Sequence, residues 1–199
     1  MASNKLGTGA ALGGLGGLLL GSKTGRSAAM GAAKLGALAL IGGLAYSAYR
    51  NYSQGKPPIN AAANLNPEEA PEGTGFEPQA VSNESAMLYI RAMIAAAAAD
   101  GRIDDAEQAS IVEGLRQSGL DAEAEAFLED ELKNPASARD LAAAVRSREQ
   151  AVQVYTAARL AIDPDTEGER TFLSQLAREL RLERDLASHV DAAARGASG

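Results

Sequence analysis

The first 56 residues carry six basic side chains and not one Asp or Glu, while the remaining 143 carry 13 basic and 26 acidic ones. This division constrains the chain more than any single motif does. A basic, apolar head joined to an acidic body suits a membrane contact at one end and solvent at the other. The acidic body would repel phosphate, so no nucleic acid is expected among the partners. Without Cys there is no disulfide framework, thiolate metal site or cysteine nucleophile. Aromatic residues make up only 4% and Trp is absent, so a core must come from Ala, Leu, Ile, Val and Met. Such a core suits close-packed helices and not a β-sandwich.

Two apolar stretches fill the head, residues 6–21 and residues 28–49, separated by Ser22, Lys23, Thr24, Gly25, Arg26 and Ser27. The second, 22 residues long, is interrupted only by Lys34. As a helix it would measure about 33 Å, enough for a hydrocarbon core of about 30 Å. Tyr46, Tyr49 and Tyr52, with Arg50 and Lys56, read as its interfacial belt. The first stretch, 16 residues, is short for an independent span. Its Gly9, Gly13, Gly17 and Gly21, continued by Gly25, recur at every fourth position. On a helix they form one smooth stripe against which another membrane helix can pack, so homo-oligomerisation is open. Glycine-rich low complexity is the plainer reading of the same residues. The small-residue pattern of signal-peptide cleavage is missing after residue 21. A single span or a hairpin would put the C-terminal domain outside the cytoplasm, and a monotopic hairpin would leave it inside.

Residues 54–82, with Pro57, Pro58, Pro67, Pro71 and Pro78, read as a disordered tether. Residues 83–199 are helical in pattern, beginning with Met87, Ile90, Met93, Ile94 and Ala97 on one face. Capping signals then divide the remainder. Asp104 with Glu107 opens a helix to residue 117, Asp121 one to 132, and Asn134-Pro135 one to 145. Ser147 with Gln150 opens a helix to 162 and Thr166 with Glu169 one to 180, before a last helix over 182–194. Seven helices with short loops predict a compact all-α bundle.

Acidic residues gather twice between helices, at Asp100, Asp104 and Glu107 and again at Asp163, Asp165 and Glu169. Hard cations such as Ca²⁺ and Mg²⁺ need such oxygen ligands. Helix capping and the macrodipole favour acids at the same places without any metal. The first cluster matches the back half of an EF-hand loop, but Ala96 and Ala98 occupy the positions of the first two acidic ligands, so it is not one. His189, the only histidine, reads as a surface or half-buried residue.

The string Asp-Gly-x-Ile-Asp-x-x-Glu at 100–107, its acidic echo at 163–169 and the Leu-rich residues 172–177 resemble the TerB-like fold of tellurite-resistance proteins. With the Gly-rich start, the Leu-Gly-x-x-Ala-x-x-Gly-Gly-x-Ala-Tyr string at 35–46 and the linker, the whole arrangement resembles the YebE-type bacterial inner-membrane family. The resemblance implies a helical domain whose two acidic loops meet around a divalent cation, with Asp100, Asp104, Glu107, Asp163, Asp165 and Glu169 as candidate ligands. Pro164 stands where the first loop has Gly101, and the spacing to the final Glu is one residue shorter, a departure from symmetric ligation.

The expectation is therefore threefold: a membrane anchor over 1–53 spanning at about 28–49, a linker over 54–82, and an acidic TerB-like domain over 83–199. Its function would be that of a membrane-anchored interaction or sensing module in the bacterial inner membrane, divalent-cation responsive and linked to envelope stress or metal tolerance by resemblance. The partners would be the bilayer and another protein. No catalytic constellation is visible, so an enzyme is not expected. A structural membrane protein oligomerising through the glycine stripe is the competing reading, and a metal-dependent hydrolase the remotest.

Overall fold

The computed structural model describes residues 28–58, 69–99, 101 and 122–195, leaving out the side chains of 28–37 and 122–125. Among the described residues there are seven α-helices and no strand. They are α1 (Ala28–Ser53), α2 (Asn83–Ala97), α3 (Ala122–Lys133), α4 (Ala138–Ala144), α5 (Arg148–Ala161), α6 (Glu167–Glu179) and α7 (Arg184–Ala194). A 3-10 turn, Pro78–Ala80, precedes α2. The helix expected over 104–117 lies outside the described residues, as do Gly9, Gly13, Gly17, Gly21 and Gly25.

Helix α5 is the axis of the fold. Every residue from Ala151 to Ala161 is buried, and α1, α2, α6 and α7 all pack on it. A helix buried on all sides must satisfy whatever polar groups it carries. Gln153 does so by accepting from the Tyr89 hydroxyl of α2 at 2.6 Å and donating to the Phe76 carbonyl at 3.4 Å. Thr156 returns its hydroxyl to the Val152 carbonyl at 2.8 Å. The Ser147 side chain caps the helix start, accepting from the Gln150 amide at 3.1 Å.

The structure places the second half of the expected span, residues 28–49, inside the helical domain. From Leu38 onward α1 belongs to the domain: Leu38, Ile41, Leu44, Ala45 and Ala48 are buried in the same core as α5 and α7. Among the residues whose side chains are described, no helix is long and apolar enough to cross a membrane. The tyrosines expected as an interfacial belt pack inward. Tyr46 and Tyr49 stand 6.0 and 5.6 Å from the Phe76 ring, and Tyr52 meets His189 edge-on at 5.8 Å. The reason lies in composition. Leu, Ile and Ala raise hydropathy all round this helix, as lipid requires, while its Ala and Gly also let two helices approach closely.

The described part of the expected tether also has a defined path. Between residues 69 and 82 the chain folds over α1 and buries Phe76, which is 1% exposed. Glu77 closes the preceding turn, accepting from the Gly73 amide at 2.8 Å and the Thr74 hydroxyl at 3.2 Å. Hydrogen bonds to backbone amides hold its carboxyl below the usual carboxylate range. The other end of the segment begins at the α1 terminus, a Schellman motif. There Gly55, at φ 62°, donates to the Tyr52 carbonyl at 3.0 Å, and the Lys56 amide donates to the Asn51 carbonyl at 2.9 Å.

Helix α4 starts later than Pro135 implied. Its N-cap is Ser137, in a capping box with Asp140, which satisfies two amides where a proline merely lacks one. Ahead of it the buried Glu131 accepts from the Ala136 amide at 2.9 Å and from Arg91 Nε of α2 at 2.9 Å, fixing the α3–α4 connection.

Burying Leu38, Ile41, Leu44 and Phe76 contributes roughly 1.5–3 kcal/mol each as an upper estimate. Together that rivals the whole net stability of an ordinary domain, about 5–15 kcal/mol. At Gly42 the contact is tightest, since a methyl group there would overlap the Phe76 carbonyl oxygen. Gly42→Ala should therefore destabilise the fold by about 1–3 kcal/mol, despite the better helix propensity of Ala. Urea unfolding measures this, and an unchanged midpoint would mean that Phe76 does not sit on α1.

Candidate functional site

Among the described residues, charged groups concentrate where α5 ends and α6 begins. Arg159, on the last turn of α5, is 3% exposed. Its Nη1 donates to the Ile162 carbonyl at 2.6 Å and its Nη2 to Asp163 Oδ1 at 3.4 Å. Its Nε lies 3.7 Å from Asp191 of α7, too far for a hydrogen bond, and has no other partner among the described groups. Asp191 in turn accepts from the Tyr155 hydroxyl at 3.1 Å. Burial pushes the Asp191 carboxyl up, against the hydrogen bond from Tyr155 and the charges of Arg159 and Arg195. Burial likewise carries the Tyr155 phenol well above its ordinary value, with the Asp191 charge adding to it.

This arrangement decides what the second acidic loop does. Asp163 is largely exposed and faces the Arg159 guanidinium. Asp165 is exposed, its amide bonded to the Asp163 carbonyl at 2.6 Å and its own carbonyl accepting from Arg170 at 2.8 Å. Glu169 is buried and turned back to the helix start, accepting from the Thr166 amide at 3.1 Å and the Thr166 hydroxyl at 2.9 Å. The reciprocal bond, Glu169 amide to Thr166 Oγ1 at 3.2 Å, completes a capping box. The carboxylates of Asp163 and Glu169 thus have separate tasks, and Asp165 is tied through its backbone alone. Among the described residues no group of three or more His, Asp or Glu is placed to hold a metal ion. Asp100, Asp104 and Glu107 lie outside the described residues. The described half of the ligand set does not fit a cation by itself.

A shallow groove of about 460 Å³ runs along the outer face of α6, lined by Glu167, Arg170, Thr171, Ser174, Gln175 and Arg178. All six are exposed, so it lacks the apolar walls of a small-molecule site.

Three polar residues within α5 escaped sequence reasoning: Gln153, Thr156 and Arg159. Their three-residue spacing in a stretch otherwise of Ala, Val, Leu and Tyr was the available signal. His189 was read as a surface or half-buried residue, and it is buried at 8% exposure with both ring nitrogens on carbonyls.

The cap reading of Glu169 has a measurable consequence. Glu169→Ala should cost about 1 kcal/mol of stability, equal with and without millimolar calcium. Thermal unfolding in both conditions checks it, and a loss seen only in calcium would restore Glu169 as a ligand.

Comparison with known proteins adds kinship without an activity. The chain is similar to an uncharacterized protein in the ampR 5′ region of Yersinia enterocolitica, at 26% identity over 102 residues, or 51% of this chain and 73% of the relative. No solved structure matches. The model of DUF533, a family of proteins of unknown function, matches residues 5–194, and the chain belongs to that family.

Proposed function

We propose that the protein is a membrane-tethered helical interaction module whose anchor lies ahead of Leu38 and is joined stiffly to the domain. The observation that supports this reading is α1 itself. It runs unbroken from Ala28 to Ser53, and its second half is part of the domain core. A helix face cannot pack on α5 and α7 and contact lipid tails at once. Residues 28–37 alone reach about 15 Å, half of a hydrocarbon core of about 30 Å. The basic, apolar residues 1–37 as a whole would then make the membrane contact, with Lys23, Arg26 and Lys34 at the headgroups. Insertion or oligomerisation of that segment, through the Gly9–Gly13–Gly17–Gly21–Gly25 stripe, would be transmitted to the domain through a continuous helix.

In this reading the acidic domain binds a protein partner at the bacterial inner membrane and performs no turnover. Responsiveness to a divalent cation, and a part in envelope stress or metal tolerance, would come through such association, as the TerB-like resemblance implies.

Fractionation tests the proposal. The full chain should sediment with membranes and resist alkaline carbonate extraction. A variant lacking residues 1–37 should be released to the supernatant with the helix content of residues 38–199 intact. Recovery of the full chain in the supernatant would remove the tether, and retention of the shortened chain on membranes would put the anchor elsewhere.

A further inference from the structure

We propose that His189 is a proton-dependent clasp fastening the C-terminal end of α1 to α7. Its two ring nitrogens face two backbone carbonyls, Nδ1 that of Asp185 at 2.6 Å and Nε2 that of Lys56 at 2.9 Å. Asp185 is one turn back on the same helix, whereas Lys56 lies 133 residues away in sequence. A carbonyl oxygen only accepts, so each contact is a hydrogen bond only when that nitrogen carries a proton. The imidazolium makes both bonds. Either neutral tautomer makes one and turns its remaining lone pair toward the lone pairs of the other carbonyl.

The surroundings make this a junction and not an incidental contact. His189 is 8% exposed, so water cannot readily replace a lost partner. The Tyr52 ring of α1 stands edge-on to the imidazole. The Lys56 carbonyl is held at that spot by the Schellman motif, because Gly55 takes the left-handed conformation and the Lys56 amide is tied to Asn51. The clasp thus joins the end of the helix that carries the N-terminal segment to the last helix of the bundle.

The groups that could titrate alongside it are few. On its own helix Asp185 is exposed, and Asp191 sits about 200° further round, engaged by Tyr155 and near Arg159. From α1 and its end come the Tyr52 phenol and the exposed Lys56 ammonium. From α5, Tyr155 and Arg159 are directed at Asp191. Of these side chains only imidazole ordinarily changes charge between pH 5 and 8. The sign follows: the cation holds two bonds and the neutral ring one, so the clasp is tight in acid and loosens as the ring loses its proton.

The chain has one histidine, so its ring signals need no assignment. Nitrogen-resolved NMR of the full-length protein from pH 5 to 8 should show two slowly exchanging ring N–H groups in acid and one after titration. Amide exchange at Gly55 and Lys56, corrected for intrinsic pH dependence, should accelerate about fivefold across the same titration, the equivalent of one net hydrogen bond. In His189→Gln that acceleration should vanish. Ring protons that exchange freely in acid would overturn the proposal, as would an unchanged exchange rate or an acceleration that persists in the variant. Should His189→Gln fail to fold, the ring signals of the unaltered chain decide alone.

Discussion

From Ala151 to Ala161 helix α5 has water on no side, and the remaining described helices are arranged to keep it so. A stretch of eleven buried residues needs cover around its whole circumference, and four helices supply it: α2, α6, α7 and α1. The last is the unexpected one. Taking α1 away would leave α5 and α7 with an open flank and would expose Phe76, whose ring packs against Tyr46 and Tyr49. Small residues are what let α1 serve as cover, since Gly42 admits the Phe76 backbone to a distance that any side chain would forbid. Interleaved with Leu and Ile, which give the segment its membrane-like hydropathy, they let one composition serve two environments.

Polar groups inside this core act as links between elements. Gln153 joins α5 to α2 and to the Phe76 segment, Arg159 holds the turn into α6, and Glu131 ties the α3–α4 connection to α2. Each replaces bonds that water would otherwise provide. Their cost in desolvation is visible at Asp191, whose carboxyl is pushed up by burial. His189 belongs to the same class, with the difference that its protonation decides how many bonds it makes.

Much of the C-terminal architecture was legible because capping chemistry is local. Ser147 before α5 and Thr166 with Glu169 before α6 both cap as their spacing indicated. Pro135 misled because a proline marks where a helix can begin, while Ser137 and Asp140 offered a better-satisfied start two residues on. The role of α1 was not legible. A run of Ala, Gly and Leu has no polar face to show which side is buried, and the partner that selects its face lies a hundred residues away. Phe76 was hidden in the same way, as one aromatic among prolines. The acidic loop was half legible: the carboxylates of 163–169 stand at a helix start as read, but a capping box and a buried guanidinium engage two of them.

The core depends on α1 and the Phe76 segment being part of the folded unit, which a comparison of residues 38–199 with residues 83–199 tests most directly. Urea unfolding followed by circular dichroism should show one cooperative transition for 38–199. The shorter chain should lose that cooperativity, because removing the cover of α5 and α7 takes away burial comparable to the net stability of a domain. An equally cooperative transition at the same urea midpoint in 83–199 would contradict it and return α1 to the status of an appendage.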